Sequence, residues 1–429
     1  MNGYEELHLL LKVPTLMKNI ALVADAYPPL HSSAAVQLWD LSLEFSNQGY
    51  RLTVLLPDAQ LTKSWTIEMI EGIQICRLKS LPTKNMGYVR RTFNEFLGPF
   101  LIRHHYYRSP LAHQRWDGIV WYSPTIFFGP FINCLKKKSN CRSYLILRDI
   151  FPQWAVDLGL LKKRLPYLFL KWIEMYQYGI ADVIGVQSQA NLPYFEKMVL
   201  KQDQRIEVLH NWLGPSENIG CDINLASTTL ANRKILVYAG NMGAAQATMV
   251  FLDLAQSLNN RKDIGLVLVG RGSDFQLLKQ EASCRGLTNT LFFDEIPSAQ
   301  IPGLYAQCHI GLVALDGRHK THNIPGKFLS YMQAGLPVLA KVNPGNDLLG
   351  IVAGFQVGYV TDENSIVHLK MLAESLLDDL DRVGLMSFES NCQKLMNQLF
   401  LPDGAVKQIL AGLDNYVGGP ITCKPLSRP

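Results

Sequence analysis

Short runs of apolar residues alternate along the chain with segments whose apolar residues have helical spacing. The first run, NIALVA over 19–24, is followed by helical spacing over 35–47 and by a second run, LTVLL, over 52–56. Further apolar runs of strand length lie at 118–121, 143–147 and 183–186. This β-α-β-α rhythm predicts a parallel sheet with helices on both faces.

The same rhythm restarts after residue 205. New runs of strand length lie at 206–209, 234–239, 265–269, 291–294, 310–314 and 337–340, and a segment rich in Gly, Ser, Asn and Thr spans 214–232. We therefore predict two Rossmann-like, doubly wound α/β domains, 1–205 and 206–400, facing a central cleft, with 401–429 a helix and tail returning to the first domain. Ligands bind at the carboxyl ends of the strands in such sheets.

Composition narrows the class of protein. The chain has 429 residues, of which 48% are apolar and 18% are charged, so large ordered cores are expected. We find no run of eighteen apolar residues and no cationic start, so we expect neither a spanning helix nor a cleaved signal peptide. The eight cysteines form no C-x-x-C pair, which favours free thiols over a metal site or disulfides.

Charge is unevenly distributed between the two predicted domains. Residues 1–205 carry 24 Lys and Arg against 16 Asp and Glu, whereas residues 206–429 carry 17 against 20. The stretch 77–115 has eight basic residues, one acid (Glu95) and several interspersed aromatic residues. This pattern predicts contact with an anionic membrane surface, with a solvated face over a core helix as the alternative. No nucleic-acid recognition motif accompanies it, so nucleic acid is not an expected partner.

Two candidate phosphate-binding loops follow predicted strands. In YPPLHSSAA, over 27–35, Ser32 or Ser33 either caps the next helix or lies where backbone amides bind a phosphate or a sugar hydroxyl. In AGNMG, over 239–243, Gly240 and Gly243 permit positive φ and close approach of a ligand to the backbone around Asn241.

Two further candidates carry a cation. In VGRGS, over 269–273, Gly270 precedes Arg271. This arginine either makes a bidentate hydrogen bond to a phosphate or is an exposed surface residue. In THNIPGKFLSYMQAGLPVLA, over 321–340, Pro325 suits a helix start, so Lys327 falls in the first turn. The helix dipole disfavours a cation there, which predicts that Lys327 binds an anion, a diphosphate, with a solvent-facing lysine as the alternative.

Several motifs in order along the chain resemble one enzyme family. They are the loop at 27–35, LRDIFP at 147–152, ADVI at 181–184, HNW at 210–212, the AGNMG turn and the segment at 321–340. Together they resemble the family-four retaining glycosyltransferases, which have the two-domain GT-B fold. The order is most similar to the bacterial subgroup that builds O-antigens and capsules, including N-acetyl-L-fucosamine transferases, and covers about 19–400.

The resemblance implies roles for both domains. The first would bind the acceptor, a saccharide linked to a polyprenyl diphosphate, and the second the nucleotide sugar, with UDP favoured and neither cofactor nor metal. The enzyme would be cytoplasmic and peripheral to the inner face of the membrane. Asp149 matches the Asp of the family's His-Asp pair, so the implied catalytic residues are Asp149, Lys327 and Arg271. The implied donor-binding residues are Ser32, Ser33, Gly240, Asn241, Gly243, Gly270, Asn323, Pro325, Gly326, Ser330, Asn346 and Asp347.

The sequence also departs from the family pattern. His322 and Ser330 stand where the family has a pair of glutamates, and Arg148 stands for the family histidine. A non-catalytic subunit that binds nucleotide sugars therefore remains as an alternative. A nucleotide-sugar 2-epimerase on the same fold is a second alternative, although that chemistry needs paired carboxylates and the glutamate pair is missing here. A dinucleotide-dependent oxidoreductase is not expected, because no G-x-G-x-x-G follows the first strand.

Overall fold

A computed structural model of the protein describes residues 18–414 except 31, 85, 197, 199, 200, 202, 244, 245, 319 and 321. The predictions made for the N-terminus and for the tail after 414, and the motif residues His31 and Thr321, therefore lie outside the described residues. The described chain forms two α/β domains, each built on a mainly or wholly parallel sheet.

The first domain contains a sheet of eight strands. They are β1 (Asn19–Val23), β2 (Arg51–Asp58), β3 (Trp65–Ile70), β4 (Ile73–Lys79), β5 (Gly118–Ser123), β6 (Arg142–Leu147), β7 (Val183–Val186) and β8 (Arg205–Val208). Their order in the sheet is β3-β4-β2-β1-β5-β6-β7-β8, and every neighbouring pair is parallel except the β3–β4 hairpin. The central strands are buried on both faces, which explains their continuous apolar runs.

Two features of this sheet differ from the sequence prediction. The β3–β4 hairpin was not predicted, and β4 shows why, since it is an internal strand whose apolar run is interrupted by Gln74 and Arg77. The run at 206–209 was assigned to the second domain, but β8 pairs with β7, so the first sheet continues to Val208. The predicted boundary between residues 205 and 206 therefore falls within a strand of the first domain.

Within the described residues, the helices that the first domain packs on its own sheet are α1 (Ser33–Asn47), α2 (Tyr88–Tyr106), α3 (Gly129–Ser139), α4 (Gln153–Asp157) and α5 (Leu165–Ile180). The first of these shows how sequence sets the ends of a helix. Ser32 caps α1, because its hydroxyl accepts from the Ala35 N–H at 3.2 Å. Gly49 follows the helix with φ of +81°, a conformation that favours glycine.

The second domain contains a six-stranded parallel sheet. Its strands are β9 (Lys234–Asn241), β10 (Ile264–Arg271), β11 (Thr290–Phe293), β12 (Ile310–Ala314), β13 (Val338–Lys341) and β14 (Gly358–Thr361), in the order β11-β10-β9-β12-β13-β14. Its helices are α6 (Met249–Ser257), α7 (Phe275–Cys284), α8 (Ile301–Tyr305), α9 (Gly326–Gln333), α10 (Leu348–Phe355), α11 (Ile366–Val383) and α12 (Leu385–Leu395).

The last described helix, α13 (Pro402–Leu413), packs on the first domain. Val406 and Ile409 are buried in the core of that domain, and the Gln408 side chain donates to the Val208 carbonyl at 2.8 Å. The chain therefore crosses between the domains twice, once after β8 and once before α13. None of the helices within the described residues combines the length and apolarity needed to cross a bilayer.

Candidate functional site

Two glycine turns lie side by side where β9 and β10 end. Gly240 and Gly270 have φ of +140° and +145°, and a Cβ atom on Gly270 would lie 2.0 Å from the Gly240 carbonyl oxygen. A side chain at Gly270 is therefore excluded by backbone as well as by conformation. Gly243 does not use a positive φ, contrary to the expectation for it, and Asn241 donates its side-chain amide to Gln246 at 3.0 Å.

Lys327 lies against this pair of turns. Its Nζ is 4.6 Å from the centroid of the Tyr238 ring, and a Cβ atom on Gly240 would lie 3.5 Å from its Cε. Burial lowers the pKa of Lys327 to about 8. Among the residues that the structure describes, no carboxylate pairs with this amine. A partly buried cation beside a glycine turn, without its own counterion, is a candidate anion site.

The first turn of α9 adds further anion-binding groups. The helix begins after Pro325 without a side-chain cap, so the N–H groups of Gly326 and Lys327 are open at its N-terminus. A Cβ atom on Gly326 would lie 2.8 Å from the Ser33 hydroxyl, so this terminus faces the start of α1 in the other domain. Ser33 thus lies at the cleft, whereas the Ser32 hydroxyl is engaged in capping α1.

Other predicted donor contacts occupy different places. The Arg271 side chain is 74% exposed and its Nε lies 3.1 Å from Glu295, so here it is a surface ion pair beside the glycine turn. The Ser330 hydroxyl donates to the Gly326 carbonyl at 3.3 Å, within its own helix. Asn323 is exposed, and its carbonyl accepts from Asn346 at 3.2 Å.

Asn346 and Asp347 were predicted to contact the donor sugar, but in this structure their polar atoms have protein partners. The buried Asn346 amide also donates to Asn343 at 2.9 Å. The Asp347 carboxylate accepts from the backbone N–H groups of Gln189 and Ala190, at 2.6 and 3.2 Å. Asp347 therefore joins the second domain to the 3-10 helix at Gln189–Tyr194 in the first.

Three amide side chains of the first domain hold the loop that leads into α9. Gln187 and Asn211 both donate to the Ile324 carbonyl, at 2.8 and 2.9 Å. Asn191 makes two hydrogen bonds with the backbone of His322, at 2.7 and 2.9 Å. Sequence reasoning missed Gln187 and Asn191, although Gln187 directly follows β7, at the carboxyl edge of its sheet where site residues are expected.

Asp149 lies just beyond β6, at the same edge of the first sheet. Its side chain is open to solvent, yet the surrounding protein raises its pKa by desolvation, an effect that Arg148 opposes. Arg148 itself is buried, donates to the Leu209 carbonyl at 2.7 Å and stacks 4.9 Å from the Trp212 ring. It therefore anchors the crossing between the domains and leaves Asp149 as the accessible member of the pair.

Comparison with known proteins gives a family match for the second domain. Residues 233–379 match the model of the family "Glycosyl transferases group 1". The probable glycosyltransferase WbjE of Pseudomonas aeruginosa is 24% identical over 56% of this chain and 61% of its own length. The colanic acid biosynthesis glycosyl transferase WcaI of Escherichia coli, an assignment by similarity, is 26% identical over 47% of this chain and 52% of its own length. The matches thus span about half to three fifths of these relatives.

Solved structures match nearly the whole chain. Sucrose-phosphate synthase from Thermosynechococcus elongatus has a TM-score of 0.67 at 13% identity and covers 92% of this chain and 98% of its own. Anabaena HepE, solved with UDP and glucose, has a TM-score of 0.63 at 15% identity and covers 92% and 99%. The chain has the GT-B fold. The family model and both relatives further support a group 1 glycosyltransferase.

In this GT-B chain the first domain also contains a cavity of about 780 Å³ at the carboxyl ends of β1, β2 and β4. Asp25, Arg77, Lys84 and Glu95 line it, together with one face of α2. Sequence reasoning missed Asp25, although it is a carboxylate just after the first strand. The described residues contain no cluster of three or more His, Cys, Asp or Glu able to hold a metal ion.

Proposed function

We propose that the protein is a glycosyltransferase that binds a UDP-sugar in the second domain. The observation that carries this proposal is Lys327, a partly buried cation without a carboxylate partner in the described chain, placed between the Gly240 turn and the start of α9. A diphosphate in that position would accept hydrogen bonds from the Lys327 amine and from the open N–H groups of the helix N-terminus. It would also supply the counterion that the described residues do not provide for this amine.

The chemistry follows from the same groups. Departure of UDP develops negative charge, which preorganised N–H groups and Lys327 would stabilise without a metal ion, and Arg271 would add a second cation after leaving Glu295. Asp149, on the facing domain, would orient a hydroxyl of the donor sugar. By analogy with the family that its motifs resemble, we propose retention of configuration through front-side attack, with a donor phosphate oxygen taking the acceptor proton.

The motif resemblance guides the proposal for substrates. By that resemblance we propose that the protein acts in O-antigen or capsule synthesis, with a donor such as UDP-linked N-acetylfucosamine, an N-acetylated deoxy amino sugar. The acceptor would be a saccharide linked to a polyprenyl diphosphate, with its sugar in the first-domain cavity. We propose accordingly that the protein is cytoplasmic and works at the inner face of the membrane. The basic, aromatic stretch 77–115 supports such contact.

A thermal-shift screen of the purified chain with UDP, GDP, ADP, CDP and dTDP, without metal, tests the nucleotide site. A ligand at 100 times its Kd adds about 2.7 kcal/mol to the free energy of unfolding, so a shift selective for UDP is the expected result. At the same UDP concentration Lys327→Met should reduce the stabilisation to about 0.4–1.4 kcal/mol, whereas Lys320→Met, at an exposed lysine of the same domain, should leave it intact. A shift of undiminished size in Lys327→Met would overturn the proposed site.

Turnover separates the proposed transferase from the alternatives. Release of UDP from UDP-sugars, and its acceleration by a lipid-linked saccharide, would support transfer. UDP binding without release or transfer would instead indicate a non-catalytic subunit. Conversion of the UDP-sugar to its 2-epimer in the absence of any acceptor would favour the epimerase alternative.

A further inference from the structure

The helix α5 exposes an apolar face to solvent. Leu165, Leu168 and Trp172, spaced three and four residues apart, are 81%, 60% and 62% exposed. The opposite face of the same helix buries Leu170 and Ile173 together with Glu174 and Gln177, so α5 has apolar residues on both faces. A helix on the surface of a water-soluble protein normally has a polar face on the side away from the core. This face of α5 is therefore built for contact with something other than water.

The exposed apolar face of α5 continues onto α2. The Phe96 ring lies 5.7 Å from Phe169 on α5 and 6.2 Å from Phe100 on α2, and Phe169 stacks 6.5 Å from Trp172. Phe93 and Phe100 are 60% and 48% exposed on the outer side of α2. We call this continuous patch, formed by Phe93, Phe96, Phe100, Leu165, Leu168, Phe169 and Trp172, the α2–α5 surface.

Cations border the α2–α5 surface. Lys162, Lys163 and Arg164 are exposed immediately before α5, and the chain from 158 to 173 contains no Asp or Glu. On α2, Arg90 and Arg103 are exposed near the aromatic residues. Aromatic and leucine side chains on one face with lysine and arginine beside them are the composition of a helix that lies in the interface of an anionic bilayer. A protein partner would not by itself require this uniform positive charge.

The surface differs from the one that the sequence indicated. Within the stretch 77–115, Ile102, His105 and Tyr106 are buried, so only the outer side of α2 is available for contact. Four of the seven residues of the α2–α5 surface belong to α5, which was not singled out, because an apolar helical segment normally predicts burial.

We propose that the α2–α5 surface binds the headgroup region of an anionic phospholipid bilayer, with Trp172, Leu165 and Leu168 inserted. The inner side of α2, through Asn94, Gly98 and Pro99, lines the first-domain cavity. Binding in this way places that cavity beside the membrane surface, where a lipid-anchored saccharide could enter it. Membrane binding is independent of catalysis, and only this delivery of the acceptor rests on the proposed function.

Flotation of the full chain with phosphatidylcholine vesicles, with and without phosphatidylglycerol, tests the proposal. We expect binding to vesicles that contain phosphatidylglycerol, weakened by salt and by Lys162→Gln/Lys163→Gln/Arg164→Gln. The triple variant Leu165→Ser/Leu168→Ser/Trp172→Ser should lower the partition coefficient by roughly a hundredfold or more, since each side chain loses its insertion into the bilayer. The matched control is Val367→Ser/Met371→Ser/Met386→Ser, three exposed apolar residues of the second domain, which should bind like the unaltered chain.

Two further readouts keep the result unambiguous. Light scattering without lipid shows whether the surface instead pairs two copies of the chain. A dimer that Leu165→Ser/Leu168→Ser/Trp172→Ser converts to a monomer, with no vesicle binding by the unaltered chain, would overturn the proposal. Equal vesicle binding by Leu165→Ser/Leu168→Ser/Trp172→Ser and by the control Val367→Ser/Met371→Ser/Met386→Ser would also overturn it. The UDP thermal shift should be unchanged in these two variants, so failure of membrane binding is distinguishable from failure of the nucleotide site.

Discussion

Replacing Lys327 with methionine removes the charge at the centre of the candidate donor site and keeps most of the side-chain volume. The amine lies over Tyr238 beside Gly240, and burial lowers its pKa from 10.5 to about 8. At about 1.4 kcal/mol per pH unit, that change corresponds to about 3 kcal/mol against the charged form in the folded protein. We therefore expect unliganded Lys327→Met to be more stable than the unaltered chain at pH 7, by up to about 3 kcal/mol.

The dependence on pH follows from the same values. Below pH 8 the amine is charged in both the folded and the unfolded chain, so the folded state carries the whole unfavourable contribution. As the pH rises from about 8 toward 10.5, the folded chain releases this proton first and the contribution disappears. The stability advantage of Lys327→Met should therefore be constant below pH 8 and should vanish by about pH 10.5.

Binding of UDP should show the opposite trend. A diphosphate favours the charged amine, so above pH 8 each bound UDP takes up a proton. The Kd of the unaltered chain should therefore rise by up to about tenfold per pH unit above pH 8. The phosphate does not contribute to this change, because its terminal group, with a pKa of about 6, is already ionised. Loss of the charge-assisted contact at pH 7 should weaken UDP binding by about 10- to 100-fold, from about 1.5–3 kcal/mol.

Isothermal titration calorimetry at pH 7, 8 and 9, in two buffers of different ionisation enthalpy, measures both affinity and proton uptake. Urea unfolding at the same pH values measures stability, and Lys320→Met controls for the loss of a surface charge. The reasoning fails if Lys327→Met binds UDP with the affinity and pH dependence of the unaltered chain, or if it is less stable at pH 7.

Three other changes test separate parts of the structure. Asp149→Asn should lower turnover by about 10²–10³ while UDP affinity by calorimetry stays unchanged, and a loss of UDP binding would contradict its placement on the facing domain. Gly270→Ala should destabilise the protein by about 2 kcal/mol or more in urea unfolding, because its Cβ would lie 2.0 Å from the Gly240 oxygen. Gly350→Ala, where nothing lies within 4 Å, is its control. Asp347→Ala should speed hydrogen exchange at the two backbone N–H groups that it bonds across the domains. Unchanged exchange at the Gln189 and Ala190 N–H groups would show that the contact between the domains does not depend on Asp347.

Much of the fold follows from local sequence, because buried parallel strands need continuous apolar runs and helices need periodic ones. The runs at 183–186 and 310–314 coincide with β7 and β12, and the ends of α1 follow from Ser32 and Gly49. The glycine turns and Lys327 were also recognisable, since a cation in the first turn of a helix contradicts the helix dipole unless an anion is present.

Other features depend on which segments meet in space. The run at 206–209 has a strand pattern in either domain, and only its pairing with β7 assigns it to the first. Asp347 looks like a ligand in its loop, but the facing N–H groups of Gln189 and Ala190 make it a contact between domains. The apolar pattern of α5 predicts a buried face, because periodicity alone does not distinguish a face turned toward the core from one turned outward. That orientation is decided by tertiary packing, which buries Glu174 and leaves Trp172 exposed.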